Sequence, residues 1–194
     1  LSIQGLIGEC AKNYLAGLTT WDVIKNISIR DIIKNDNLLQ AKRKFLKKAV
    51  VEQKYFSKVN AVIGRTEWDK AHSYNLNPNI QYFHCDEMLR PEFYCKDRWS
   101  LDNCEKYSIF MSGGGYPLKG LHQVLRALYL IKKDFNTVKL YVSGYNFLGD
   151  KSLKSQLRIS GYGLYIKRLI KKLNLEENVV FTGPLSAQEM KVRY

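Results

Sequence analysis

The sequence predicts an α/β fold built on parallel sheets, and three observations carry that prediction. Short apolar runs that read as strands alternate with longer segments of helical periodicity. In the second half the order is strand, helix, strand, helix, strand, which builds a βαβαβ unit with right-handed crossovers and parallel strands. Each strand of that half runs into a glycine, at Gly113, Gly144 and Gly183. In sheets of this kind ligands bind beyond the carboxyl ends of the strands.

The elements follow in order. Leu6, Ile7, Cys10, Ala11 and Tyr14 recur at helical spacing, and Gly17 is a stop. Thr19 or Thr20 caps a short helix starting near Trp21. Asn37 opens a long helix to about Ser57, with Leu38, Ala41, Phe45, Ala49 and Phe56 as one stripe. Lysines and Arg43 fill most of its remaining surface, and Glu52 is its only acid. Asn60–Gly64 reads as a buried strand. Thr66 starts a helix with Trp68 and Ala71 turned inward, and Asn79–Phe83 is a second strand. From His84 to about Lys106 the pattern breaks up around Pro91, which reads as a linker. Tyr107–Ser112 is then a strand, followed by a glycine loop over 113–117. Leu121, Val124, Leu125 and Leu128 define a helix, and Val138–Ser143 a strand. Ile166, Leu169, Ile170 and Leu173 define another helix, and Asn178–Thr182 the last strand. Ser186 caps a further helix, with Glu189 at the capping-box position. Three loops leave the strand ends, over 113–117, 144–150 and 183–186. As turn glycines, their leading residues have an ordinary structural use as well.

Composition bounds the partners. The chain has 194 residues, enough for one large domain or parts of two, and its 45% hydrophobic and 12% aromatic content supports a packed core and excludes a disordered chain. The formal net charge is +13. Nucleic acid, an anionic membrane surface and a phosphorylated substrate all fit that charge, as does a merely solvated basic surface. Cys10, Cys85, Cys95 and Cys104 form no C-x-x-C pair, and His72, His84 and His122 are scattered, so no zinc site is expected. A chain with a real core needs no disulfide framework, and four reduced cysteines fit a cytosolic protein. No run approaches the roughly 18 apolar residues of a membrane-spanning helix. Glu9 and Lys12 interrupt the apolar pattern at the start, unlike a secretory leader. The first residue is Leu1, and Tyr194 falls just inside a new helical pattern. We therefore expect a piece of a longer protein.

The most informative segment is Ser112-Gly-Gly-Gly-Tyr-Pro-Leu-Lys-Gly120. A strand feeds a triple-glycine loop, and Lys119 stands at the start of the next helix. Backbone N–H groups and a helix N-terminus favour an anion there, and Lys119 adds a full charge, which makes a pyrophosphate cradle. The same lysine also fits a solvated first turn, and the local sequence leaves both open. The segment is not a Walker A loop, because Leu118 precedes Lys119 and Gly120 follows it. Nor is it the dinucleotide G-x-G-x-x-G, because Leu118 holds the third glycine position.

Tyr107–His122 resembles the start of the C-terminal domain of family 4 (group 1) glycosyltransferases, where a strand and glycine loop lead to a Lys-Gly pair and a helix. Val138–Gly144 resembles that domain's second strand, Tyr162-Gly163 and its basic helix the next segment, and Val179–Leu185 its "V-x-F-x-G" strand. Asn60–Glu67 resembles the last nucleotide-fold strand of the N-terminal domain, and Ile80–Phe93 the stretch leading across. The match covers about 60–190. The first 59 residues resemble the family only loosely, with Ser2–Gly5 as an acceptor-domain loop. The resemblance implies two facing Rossmann-like domains (the GT-B architecture), incomplete in this chain. Residues 1–85 would end the acceptor-side domain, 86–106 would link, and 107–194 would begin the donor-binding domain.

It further implies a retaining transfer, of hexosyltransferase type, from a nucleoside-diphosphate sugar to a glycan or lipid-linked acceptor in surface polysaccharide synthesis. Lys119 would neutralise the diphosphate, Gly113 and Gly114 would approach it through backbone, and Gly183, Pro184 and Leu185 would border the nucleobase. No metal or other cofactor is implied, because cations and a helix dipole take that role. Two departures matter. The family's arginine, five residues before the lysine, is Gly114 here. Its paired glutamates would fall past Tyr194, and its catalytic histidine region ahead of Leu1. No catalytic residue is therefore assigned, and this piece alone is expected to be inactive.

The long basic helix fits an anionic lipid surface or the acceptor, through Lys42, Arg43, Lys47 and Lys48, although a surface helix whose lysines are merely solvated is the plainer reading. A cytoplasmic protein, peripheral at the inner face of the membrane, matches the first reading. Two rival functions stand. A basic nucleic-acid-binding module would explain the charge, although no helix-turn-helix, zinc finger or RNA-binding aromatic motif is visible. A sugar-nucleotide fold that has lost activity is the other.

Overall fold

The structure is a computed structural model that describes residues 1–94, 100–149 and 152–194. Cys95, the linker stretch 95–99 and Asp150 at the end of the 144–150 loop lie outside the described residues. The chain is α/β with parallel strands in two small sheets, as the alternation of segments predicts. In chain order the elements are α1 (Ile7–Lys12), α2 (Thr20–Lys25), α3 (Ile29–Lys34), α4 (Leu38–Phe56), β1 (Ala61–Gly64), α5 (Glu67–Leu76) and β2 (Gln81–His84). There follow β3 (Ser108–Ser112), α6 (Leu121–Ile131), β4 (Lys139–Ser143), α7 (Leu153–Gln156), α8 (Gly161–Lys172), β5 (Val179–Gly183) and α9 (Ala187–Arg193). Contacts divide the chain into two units, one of residues 1–14 and 39–89, the other of 15–38 and 90–194.

In the first unit β1 and β2 pair in parallel, from Ala61 opposite Gln81 to Gly64 opposite His84. Residues 1–3 run along β1 as well: Ile3 N donates to Ile63 O, and Ile63 N donates to Leu1 O, each at 2.8 Å. Ile3, Leu6, Phe56, Val62 and Ile80 are buried together. The only acid of α4 has a structural use. Glu52 accepts from Ile7 N and Gly8 N, both at 2.8 Å, so one carboxylate closes the N-terminus of α1.

Trp68 and Ala71, expected to face inward, are exposed, and Asp69 and Ser73 are buried in their place. The cap decides this rotation. Thr66 Oγ1 accepts from Asp69 N, and Asp69 Oδ2 accepts from Arg65 N and Thr66 N. That box ties the third helical residue to the strand end, so the i, i+4, i+7 line through Asp69, Ser73 and Leu76 faces in.

In the second unit the sheet order is β3-β4-β5, all parallel. Apolar side chains of α6 (Leu121, Leu125, Leu128) and α8 (Tyr162, Ile166, Ile170) bury Leu140 and Val142 of the central strand β4. Alternation then sends Phe110 and Tyr141 to the other face, where Tyr194 packs edge-on to Phe110 and the Arg193 guanidinium lies 4.2 Å from the Tyr141 ring centre. Residues 15–38, grouped with the first domain from sequence, belong to this unit. Leu18 joins its core, and Asp31 Oδ2 accepts from Gly161 N at 2.8 Å to cap α8. Two short helices had no counterpart in the sequence reading, α3 and α7.

Candidate functional site

The site is built on the carboxyl edge of β3-β4-β5. Three glycines stand there side by side. Gly113 N donates to Ser143 O, and Gly144 N donates to Gly183 O, both at 2.9 Å. All three take the left-handed backbone conformation, with φ of 82°, 107° and 76° for Gly113, Gly144 and Gly183. A Cβ on Gly144 would lie 3.6 Å from Gly113 Cα, whereas one on Gly113 or Gly183 would meet nothing within 4 Å. The edge is therefore an open strip of backbone from which side chains are excluded by dihedral angle rather than by lack of room.

The predicted diphosphate residues and the predicted nucleobase residues both belong to this edge. Gly113 continues from β3, Gly183 ends β5, and Pro184 and Leu185 follow it. With β4 between them, two strand spacings separate the groups, about 10 Å. Gly114 is different, because it is buried. A Cβ there would come within 2.8 Å of Leu121 Cδ2 and 3.3 Å of Val142 Cγ1, both in the core. An arginine at this position has no room in this backbone.

Pro117–Lys119 forms a single 3-10 turn, and Gly120, at φ 75°, hands the chain to α6. No side chain caps α6, and its first turn carries no acid. The helix thus starts with its positive end undisguised, beside a loop of three glycines. Lys119 is exposed, makes no ion pair among the described residues, and has its Nζ 5.9 Å from the Tyr116 ring centre. Together these groups can hold an anion.

Sequence reading missed an adjoining cavity of about 390 Å³, lined by residues of the 145–149 loop and of the 152–159 segment, among them Lys154 and Arg158. Phe147 joins it to the glycine loop. Its ring lines the cavity, packs edge-on to Phe181 at 5.7 Å, and would lie 3.6 Å from a Cβ on Gly115. The signal was present as two cations on helical spacing, but only the fold brings them into one cavity with Phe147, whose ring lies next to Gly115.

Behind the edge His122 is buried. Its Nδ1 lies 3.1 Å from the Tyr162 hydroxyl and its Nε2 2.8 Å from Ala16 O. Burial holds its pKa below the ordinary value, with the Arg126 charge acting the same way and the Ala16 carbonyl opposing. Lys42, Arg43, Lys47 and Lys48 lie along α4 in the first unit, and Lys48 lines a separate, largely apolar cavity of about 350 Å³ there. Among the described residues, no three His, Cys, Asp or Glu side chains could hold a metal ion. Among them, too, no helix is long and apolar enough to cross a membrane.

No protein-family model matches the chain, and no curated protein matches it. A solved structure resembles it: a mutant of S. aureus TarM in complex with Fondaparinux, alpha-GlcNAc-glycerol and UDP, at 18% identity and a TM-score of 0.47. The alignment covers 75% of this chain and 24% of that one, so the chain spans about a quarter of its neighbour's length.

Proposed function

We propose that this chain is part of a retaining, GT-B glycosyltransferase resembling family 4, and that the β3-β4-β5 edge binds the diphosphate of a nucleoside-diphosphate sugar. One observation carries the reading: three left-handed glycines in line at the carboxyl edge, next to an uncapped helix start and the exposed Lys119. Gly113 presents backbone to the diphosphate and Lys119 balances its charge. Gly114 sits beneath the loop as a packing residue. Lys154 or Arg158 supplies the second cation that the family draws from the position of Gly114. Gly183, Pro184 and Leu185 border the base. A cationic site of this kind neutralises a diphosphate leaving group without a metal ion. The acceptor is a glycan or lipid-linked sugar, in surface polysaccharide synthesis. The protein works at the cytoplasmic face of a membrane, with the basic face of α4 turned to lipid or acceptor.

Calorimetry with a nucleoside diphosphate tests the site. A charge-assisted phosphate contact is worth about 1.5–3 kcal/mol, so Lys119→Ala should weaken binding roughly ten- to a hundredfold. Arg158→Ala or Lys154→Ala should give a further loss in that background. Unchanged affinity in Lys119→Ala would remove the cradle assignment.

A further inference from the structure

The segment 15–38 buries Leu18 and Val23 but turns much of its remaining apolar surface outward. Asn26, Ser28 and Asp31 are buried, whereas Trp21 is 70%, Ile32 71% and Ile33 78% exposed, with Ile24 and Ile29 also in solvent. In an ordinary surface helix these positions would be exchanged. The inversion is held by polar contacts to α8. Asp31 Oδ2 accepts from Gly161 N at 2.8 Å, and Asn26 Oδ1 accepts from Arg168 Nη1 at 2.7 Å. A Cβ on Gly161 would lie 2.5 Å from Asp31 Oδ2, so the two segments approach too closely to roll. Trp21 and Ile24 of α2 and Ile29, Ile32 and Ile33 of α3 are thereby fixed outward on two short helices joined by three residues.

Beside them runs a cationic groove of about 340 Å³ between α2, α6 and α8. Lys25, Arg126, Arg168 and Lys172 line it. Asp22 is the one carboxylate in its lining, and that group is already held by Thr19, whose N and Oγ1 donate to Oδ2 at 2.9 and 2.7 Å. Exposed Lys34 adds charge at the end of α3.

We propose that α2 and α3 form a membrane-docking hairpin, with Trp21 and the isoleucines entering the interface of an anionic bilayer and the groove taking lipid phosphates. Charge complementarity selects this occupant: protruding aliphatic tips, a tryptophan and an adjacent row of cations match acyl chains below phosphate headgroups. The hairpin is distinct from the basic face of α4 and does not depend on glycosyl transfer.

The test is co-sedimentation of the full chain with vesicles of phosphatidylcholine alone or with phosphatidylglycerol. Binding to the anionic vesicles is expected, weak for the neutral ones. The triple variant Trp21→Ser, Ile32→Ser, Ile33→Ser should partition about tenfold less, because it removes most of the buried apolar area. Lys25→Glu with Lys172→Glu should abolish the preference for anionic lipid. All five positions are exposed, so circular dichroism should report unaltered folding, and affinity for a nucleoside diphosphate should be unchanged. Equal binding to both vesicles, or a triple variant that sediments like the parent, overturns the proposal. So does vesicle binding that Lys42→Glu with Lys47→Glu abolishes while Lys25→Glu with Lys172→Glu leaves it as in the parent, which would assign the contact to α4 alone. Light scattering that finds a dimer abolished by the triple variant would assign the face to a second copy instead. Loss of diphosphate affinity in Lys119→Ala, with vesicle binding intact, keeps the two readings separate.

Discussion

His122 shows how a residue's chemistry is set by what surrounds it. Among the described residues its Nε2 faces the carbonyl of Ala16, so this nitrogen carries the proton and Nδ1 accepts from the Tyr162 hydroxyl. Burial pushes the Tyr162 pKa well up, which keeps that hydroxyl a donor. A second proton on the ring would put a charge in a buried site and force the Tyr162 hydroxyl to turn from donor to acceptor. Because the folded pKa lies below the unfolded one, the unfolded chain binds the extra proton first. Stability is full above pH about 6.5 and falls as the pH drops through that value toward the folded pKa. Urea midpoints at pH 7.5 and 5.5 should therefore differ, with the lower at pH 5.5, and His122→Asn should flatten the difference. A slope that persists unchanged in the variant would exclude His122 as its source. In the sequence this histidine is one of three scattered ones, and nothing local marks it as buried. Lys119 is the opposite case. Its neighbours in sequence already put it at a helix start, and the structure leaves it exposed there.

Helices in this chain are positioned by their caps as much as by apolar stripes. The Ser186–Glu189 box and the Thr66 cap were legible, because a Ser or Thr before a periodic run has one obvious use. The inward face of α5 was not, since the cap turned Asp69 in and Trp68 out. The inverted α3 escaped for the same reason, as its isoleucines do not face the core that a periodicity argument assumes. Asp31 is the residue on which that packing rests, 4% exposed and bonded to Ser28 N, Arg30 and Gly161 N. Asp31→Ala leaves the Gly161 N–H buried without an acceptor and should cost about 2 kcal/mol in urea unfolding. Asp31→Asn, which keeps an acceptor, should cost less. Equal losses would mean that charge rather than the hydrogen bond matters.

At the scale of the molecule, the candidate site is a product of the sheet. Gly113, Gly144 and Gly183 are far apart in sequence and adjacent only because β3, β4 and β5 pair in parallel and in that order. A ligand gripped by loops from all three strands stabilises the second unit as a whole. At a hundredfold excess over its dissociation constant a nucleoside diphosphate should add about 2.7 kcal/mol. A thermal-shift series over diphosphates should display this as a rising midpoint, and hydrogen exchange should slow at the three glycine loops. A flat series across all nucleoside diphosphates would count against the donor-site reading.

The sequence by itself determined the α/β class, the strand and long-helix segments, the glycine at each strand end of the second half and the placement of Lys119 at a helix start. These are local properties, written in periodicity and in the conformational limits of particular residues. Only the tertiary structure decided that residues 15–38 pack with 90–194 and that Gly114 is buried against Leu121 and Val142. It also decided that Lys154 and Arg158 line one cavity with Phe147, and that Trp21, Ile32 and Ile33 face solvent. Each depends on a contact between segments distant in the chain, and periodicity within one segment carries no information about which partner will cover it.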